Sequence, residues 1–477
     1  PAAAQSPALK RLRFGPQKLI VDLGVGLWAW PLPVDFDGDG DLDLLVSCPD
    51  KPYQGTYFFE NPSDGRTSLP VFRPPVRIGP GHRNISITWH RGQPTICTPA
   101  TTWKLTPKTG LTDPRRLYEK TNVHPRKIRA NQWSIVDYDG DGDRDLVVGV
   151  GDWTDYGWDN AFDEQGNWIR GPIHGYVYLL QNSGTEAKPQ YAPPRMIHAD
   201  GKPIDVFGRP SPNFSDFDSD GDLDLICGEF LDGFTYFRNI GNRHMPIYAA
   251  GVPLVNAYGK RLHMDLQMVV PVSIDWDRDS DVDLIVGDED GRVAFVEHLG
   301  IGNDGIPRFA SPVYFQQQAD LLKFGALVTP FSVDWDQDGD EDLLVGNTAG
   351  YIGFLENLDG GNPPSWRAPK FLEADGKPLR ITAGPKGSIQ GPAEPKWGYT
   401  TLSAADWDGD GRQDLIVNSI WGRVVWYRNL GGTVIPRLAK AQPIQMAPEH
   451  SARFPKWNWW KPVGNELVTQ WRTTPLA

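Results

Sequence analysis

Residues Asp35–Asp43 read DFDGDGDLD, and the same acidic nonapeptide returns as DYDGDGDRD at Asp137, DFDSDGDLD at Asp216, DWDRDSDVD at Asp275, DWDQDGDED at Asp334 and DWDGDGRQD at Asp406. Every copy sets carboxylates at its first, third, fifth and ninth positions, and five of the six carry glycine at the sixth. That is the ligand order and sharp turn of a compact calcium loop. The ligands so assigned are Asp35, Asp37, Asp39 and Asp43; Asp137, Asp139, Asp141 and Asp145; Asp216, Asp218, Asp220 and Asp224; Asp275, Asp277, Asp279 and Asp283; Asp334, Asp336, Asp338 and Asp342; Asp406, Asp408, Asp410 and Asp414. One copy would be weak evidence, whereas six in register define a repeat.

Each loop runs into a short apolar strand (DLLVSC, DLVVGV, DLICGE, DLIVGD, DLLVGN, DLIVNS) and then a second one (TYFFEN, YVYLLQN, FTYFRN, VAFVEH, IGFLEN, VVWYRN). A segment opening on Pro and an aromatic usually follows, as in PVFRPP or PRFASP, and a further strand leads into the next loop. With no helical periodicity, 51 Gly and 43 Pro, the pattern is all-β. Radial repetition of four-stranded sheets is a β-propeller. The 102 residues between Asp35 and Asp137 hold two units, so residues 84 to 129 are read as a degenerate blade with strands NISITWH, QPTICTPA, TTWKLTP and RRLYEKT. The expectation is seven four-stranded blades with calcium loops in one domain, residues 1–477. The C-terminal ELVTQWRTTPLA resembles the strand before an acidic loop, so it either begins an eighth unit, truncated here, or closes the ring. Residues 10–24 look like an outermost strand without its blade, and closure is expected to pair the two ends.

The net charge of −13 argues against nucleic acid and anionic membrane as partners. About half of the 60 acidic residues lie in the six loops, and six divalent ions would bring the total to about −1, so the acidity reads as metal charge. Cys48, Cys97 and Cys227 fall at matching strand positions and read as buried thiols, not a disulfide framework. No apolar run reaches membrane-spanning length, and a chain beginning Pro-Ala-Ala has lost whatever preceded it. Calcium loops of the weaker extracellular kind imply a secreted, periplasmic or cell-surface protein, expected to be a monomer.

These repeats resemble the FG-GAP or VCBS repeat of integrin-type propellers and many bacterial secreted proteins, over nearly the whole chain. A narrower resemblance rests on GLWAWPLPVDFDGDGDLDLLVSCPDKPYQGTYFFENP and the long insertion after Gly151. It looks like the propeller enzymes of polysaccharide lyase family 42 and glycoside hydrolase family 145, which attack rhamnose-capped glucuronate in plant arabinogalactan. The resemblance implies a lyase working by β-elimination or, alternatively, an α-L-rhamnosidase-type hydrolase. The family 42 lyases carry a His and arginines in an anterior pocket; the hydrolases are described with a catalytic His on the posterior face.

If the acidic loops occupy one face, the blade-to-blade connectors share the other. Each of the seven carries a cation: His82 and Arg83; His124, Arg126 and Arg129; Arg209; Arg261 and His263; Lys323; Lys396 beside Trp397; Lys461. Charges sit on exposed turns in any case, but a complete ring reads as a mouth for an anionic polysaccharide or oligosaccharide, because guanidinium forks pair with carboxylates. The insertion Gly151–Gly175 adds Trp153, Tyr156, Trp158, Trp168 and His174 to that face. β-Elimination needs a base and a carboxylate neutraliser. His124 is the best-placed base, followed by His263, His174 and His82, and the resemblance implies Arg209 and Arg261 as neutralisers. Arg126, Arg129, Trp153, His174, Lys323, Lys396 and Trp397 are the expected substrate contacts. Hydrolysis would instead need two carboxylates, for which Glu229, Asp288, Glu289 and Glu394 lie on mouth loops. A calcium-dependent lectin or adhesion propeller would need neither.

Overall fold

A computed structural model describes residues 10–15, 19–51, 53–107, 109–118, 123–157, 159–432, 436–447 and 459–477; Trp158 and the last three residues of the expected RRLYEKT strand lie outside them. Among these residues the chain is all-β and propeller-like, and no helix is long and apolar enough to cross a membrane. Seven four-stranded meanders follow one another, each beginning on the strand that leads into a loop: Trp30–Val34, Ser86–His90, Ile128–Val136, Ser211–Ser215, Val270–Ile274, Thr329–Val333 and Thr401–Ala405. The apolar run after each loop is buried on both faces, wholly so at Asp43–Cys48, Asp224–Gly228 and Asp283–Gly287. Continuous burial suits a sheet sandwiched between two others and explains runs such as LLV and LIV in place of alternation.

The ninth aspartate ties each loop to its sheet. Asp43 accepts the N–H groups of Phe36 at 3.0 Å and Asn61 at 2.9 Å. The same two backbone donors recur at Asp145, Asp283, Asp342 and Asp414, while Asp224 takes the Asn239 N–H and the Tyr236 hydroxyl. A carboxylate with both oxygens on buried N–H groups closes the first turn onto the end of the third strand. The degenerate second sheet lacks this buckle. Its first two strands are joined by Arg91-Gly92, both at positive φ, the geometry of a two-residue hairpin. Its fourth strand is Gly110–Arg116, upstream of the expected RRLYEKT, because Gly110 at φ +77° turns the chain back at once.

The seven sheets do not stand in one ring. The innermost strands of the first five are neighbours in order, and the fifth lies against the first. Contact there is tight: a Cβ on Gly287 would come within 2.3 Å of the Ala29 carbonyl oxygen. The N-terminal strand Leu19–Asp22 pairs with Gln316–Ala319, in the connector after the fifth sheet, which also runs parallel to Val71–Phe72, between the third and fourth strands of the first, so that the three form a small sheet of their own. Among the described residues no strand pairs the two chain ends. The sixth and seventh sheets pack on each other through Trp335, Leu344, Ile352, Leu402 and Val417, leaving Pro330 and Ser332 on the sixth inner strand exposed. The C-terminal ELVTQW docks on the seventh sheet, with Val424 N–H donating to Leu467 and Leu467 N–H to Ile444. Cys48, Cys97 and Cys227 are free and buried.

Candidate functional site

Two constellations carry chemistry, at opposite ends of the inner strands. At the loop end, Asp35, Asp37 and Asp39 each bring one oxygen within 4.8 Å of the others, and the corresponding residues at Asp137, Asp216 and Asp275 do the same. In the fifth loop the converging set is Asp334, Asp336 and Asp342, so the ninth aspartate can join as well as buckle. Buried carboxylate oxygens without a hydrogen-bond partner, which a cation could satisfy, occur on Asp41, Asp137, Asp218, Asp277 and Asp336, among others. Burial, and next the neighbouring carboxylates, push Asp41 up to about 6 and Asp281 up to about 7. These clusters could hold a metal ion. The seventh-position aspartates Asp41, Asp143, Asp222, Asp281 and Asp340 were left out of the expected ligand set because in the helical calcium loop that position contributes a backbone carbonyl. The sixth position needs the left-handed region: Gly40, Gly142, Gly221, Gly339 and Gly411 sit between φ +85° and +101°, and Ser280 is held there at +81°.

At the other end, the starts of the five inner strands converge on a mouth. Trp28 precedes the first, Asn84 the second and Arg209 the fourth, while Arg129 lies in the third and Gln267 just before the fifth. Arg209 is 1% exposed; it stacks on Trp28 at 4.4 Å and donates to Asn84 Oδ1 at 3.3 Å. Its Nε and Nη2 have no hydrogen-bond partner, and burial pushes it down to about 9. Arg129 lies 3.7 Å over Trp153 and is pushed down to about 10, again by burial. Facing these cations are Glu289, from the turn after the second strand of the fifth sheet, and Glu394, from the connector into the seventh. Both are buried, and each keeps one oxygen unpartnered, Glu289 Oε2 and Glu394 Oε1. Burial, then Glu394, raise Glu289 well above the carboxylate range; burial raises Glu394 to about 7 against the pull of the Ser388 hydroxyl, Arg472 and Arg129. The connector is clasped over the mouth by the insertion: Asn160 N–H donates to Ile389 at 2.6 Å, Ala393 N–H to the Tyr156 hydroxyl at 3.1 Å, and Tyr156 to Gln390. The pocket beneath, lined by Arg129, Trp153, Tyr156, Phe230, Glu394 and Trp397, leaves no water-sized space.

The expected ring of free cations is for the most part a ring of ion pairs. Arg83 meets Asp50, Arg261 meets Glu229 at 3.3 Å, and Asp232 takes both His263 at 3.2 Å and Lys396 at 2.6 Å. Arg261 and His263 are thus half-exposed and paired, whereas Arg209 is buried with two of its three nitrogens unpartnered. His124 is held on both ring nitrogens, by the Tyr178 hydroxyl at 2.7 Å and Asp152 at 3.1 Å, and only 3% of its side chain is exposed. A base so enclosed has no free lone pair to offer a substrate. Arg126 completes that cluster on Asp152 and Asp155, and His174 pairs with Asp205 at 2.6 Å while stacking on Tyr176. Lys323 lies between the first, fifth and sixth sheets, its ammonium buried without a hydrogen bond and lowered to about 8 by burial. Of the four loop carboxylates, Glu229 and Asp288 are neutralised by Arg261 and Arg292, leaving Glu289 and Glu394. Nothing in their sequence setting marks these two, since their meeting depends on how distant loops converge.

No protein-family model and no curated protein matches the chain. Among solved structures, it is similar to an Agrocybe aegerita lectin described as recognising non-reducing terminal N-acetylglucosamine, at 14% identity over 87% of this chain and 80% of that one, with a TM-score of 0.22. It is also similar to the Tc holotoxin pore of Photorhabdus luminescens, at 14% identity over 86% of this chain and 16% of that one, with a TM-score of 0.23.

Proposed function

We propose that the protein is a calcium-stabilised carbohydrate-active enzyme that cleaves a glucuronate-containing glycan at the mouth, by hydrolysis. The observation that carries this reading is the group of buried, incompletely bonded charges Arg209, Glu289 and Glu394. Buried polar atoms without partners are uncommon away from sites that a ligand completes, and carboxylates whose environments drive their acidities apart make an acid and a base. Glu289, the more strongly raised of the two, is the proton donor to the glycosidic oxygen as its bond to the anomeric carbon breaks. Glu394, drawn towards ionisation by Arg472 and Arg129, takes the proton of the attacking water. The free Nε and Nη2 edge of Arg209 receives the sugar carboxylate, and Trp153 and Trp397 offer rings for sugar faces. Entry requires the connector 385–395 to lift; Gly384, Gly387 and Gly391, all at positive φ, supply its hinges. Calcium, held by the acidic loops, fixes the scaffold far from this chemistry.

β-Elimination is the second reading, supported by the same Arg209 as carboxylate neutraliser. Its base would then be Glu394, the carboxylate drawn towards ionisation, since His124 is enclosed by Asp152 and Tyr178. The test is digestion of a panel of glucuronate-bearing glycans with calcium present. New reducing ends without ultraviolet absorbance from an unsaturated uronate support hydrolysis; the absorbance supports elimination. Binding without cleavage leaves a lectin.

A further inference from the structure

The residue just after each third strand changes identity around the molecule (Glu60, Gln181, Arg238, Glu297, Glu356 and Arg428), and where it is a donor it meets the carboxylate at the third position of its own loop. The geometry is explicit where the side chain is a donor. Gln181 donates to Asp139 Oδ2 at 2.6 Å, Arg238 Nε lies 2.7 Å from Asp218 Oδ2, and Arg428 Nε lies 2.6 Å from Asp408 Oδ2. The sixth loop alone adds a second guanidinium. Arg412 stands at the seventh position, where the other five loops have aspartate, and binds Asp410 while its Nε donates to the Asn429 carbonyl at 3.0 Å. Arg428 reaches the same Asp410 at 3.1 Å.

We infer that the sixth acidic loop is closed by Arg412 and Arg428 in place of a cation, so that the chain carries five cation loops and one guanidinium-locked copy. Two guanidiniums face four carboxylates there, whereas the third loop sets a single Arg238 against five. An independent observation agrees. Buried carboxylate oxygens without hydrogen-bond partners occur in each of the first five loops, whereas in the sixth the two carboxylates that are not exposed, Asp410 and Asp414, have none. A divalent ion entering the sixth loop would have to displace the ion pair at the third ligand position and the charge-assisted bonds made at the fifth. The lock also keeps the seventh sheet folded when calcium is withdrawn.

The inference rests on the calcium reading of the other loops, and the test separates the two. Bound calcium per chain is counted by equilibrium dialysis for the wild type, for Asp406→Asn/Asp408→Asn, for Arg412→Asp/Arg428→Gln and for an Asp334→Asn/Asp336→Asn control, each checked for native circular dichroism. The sixth-loop aspartate variant is expected to bind as many ions as the wild type, the arginine variant one more, and the control one fewer. Loss of an ion in the sixth-loop aspartate variant, or no gain in a folded arginine variant, overturns the inference. Either folded variant decides alone. A control that keeps the wild-type number overturns the cation reading itself.

Discussion

Replacing Arg209 by methionine should make the protein more stable while removing its affinity for an acidic glycan. The guanidinium is 1% exposed, and its Nε and Nη2 lack acceptors. A buried donor left without a partner costs about 1–3 kcal/mol, and stacking on an indole such as Trp28 returns about 0.5–2 kcal/mol. Methionine keeps most of the aliphatic stem and removes the charge, so the balance favours Arg209→Met by about 1–3 kcal/mol, within the range seen when buried charges give way to apolar side chains. Urea denaturation at saturating calcium reads the stability, and titration calorimetry with a glucuronate oligosaccharide reads the binding. A loss of about 2 kcal/mol or more, as expected of an ordinary large-to-small core change, would refute the reasoning. Arg209 would then be a structural residue and the mouth would lose its carboxylate receptor.

Chelation should lower the melting temperature, because the loop carboxylates are left clustered and desolvated, and restoring calcium should reverse it; a melting curve indifferent to chelator contradicts the loops' assignment. Ser280→Gly, which relieves a side chain held at φ +81°, should add about 1 kcal/mol and tighten the fourth acidic loop, both read by calcium-dependent melting. His124→Ala should cost about 1–3 kcal/mol by leaving the buried Tyr178 hydroxyl without its partner, Asp152 keeping Arg126 and Thr154, yet leave the kcat of folded protein within about twofold, since no proton transfer is assigned to it. Glu394, raised to about 7, has a folded pKa above its unfolded one; its contribution to stability is therefore complete below the ordinary Glu range, near pH 4, and is lost as pH rises through about 7. Activity should rise over that same limb as the base ionises, and Glu394→Gln should remove both effects.

The loops, the strands after them and the four-stranded unit were legible because each depends on residues within about a dozen positions of one another. The buried thiols followed from the same register. The tryptophans at the second loop position do not behave alike: Trp276 and Trp335 are buried, whereas Trp407 is 48% exposed. Ring closure was not legible, because only long-range packing decides that Leu19–Asp22 and Val71–Phe72 meet Gln316–Ala319. The site was half legible. Cationic connectors could be read from the sequence, but whether a cation is free depends on acids far away in the chain, as with Arg261 on Glu229 or Lys396 on Asp232. Glu289 and Glu394, 105 residues apart, looked like isolated loop acids until the fold set both in the mouth.

The central claim is that Glu289 and Glu394 form the acid–base pair of a glycan-cleaving mouth. The most direct measurement is the cleavage rate of a glucuronate-bearing glycan by the wild type, Glu289→Gln and Glu394→Gln, with products analysed for reducing ends and for unsaturated uronate. The account predicts saturated products from the wild type and a rate at least about a hundredfold lower in either variant, with melting temperatures preserved. Wild-type rates in both variants would contradict it.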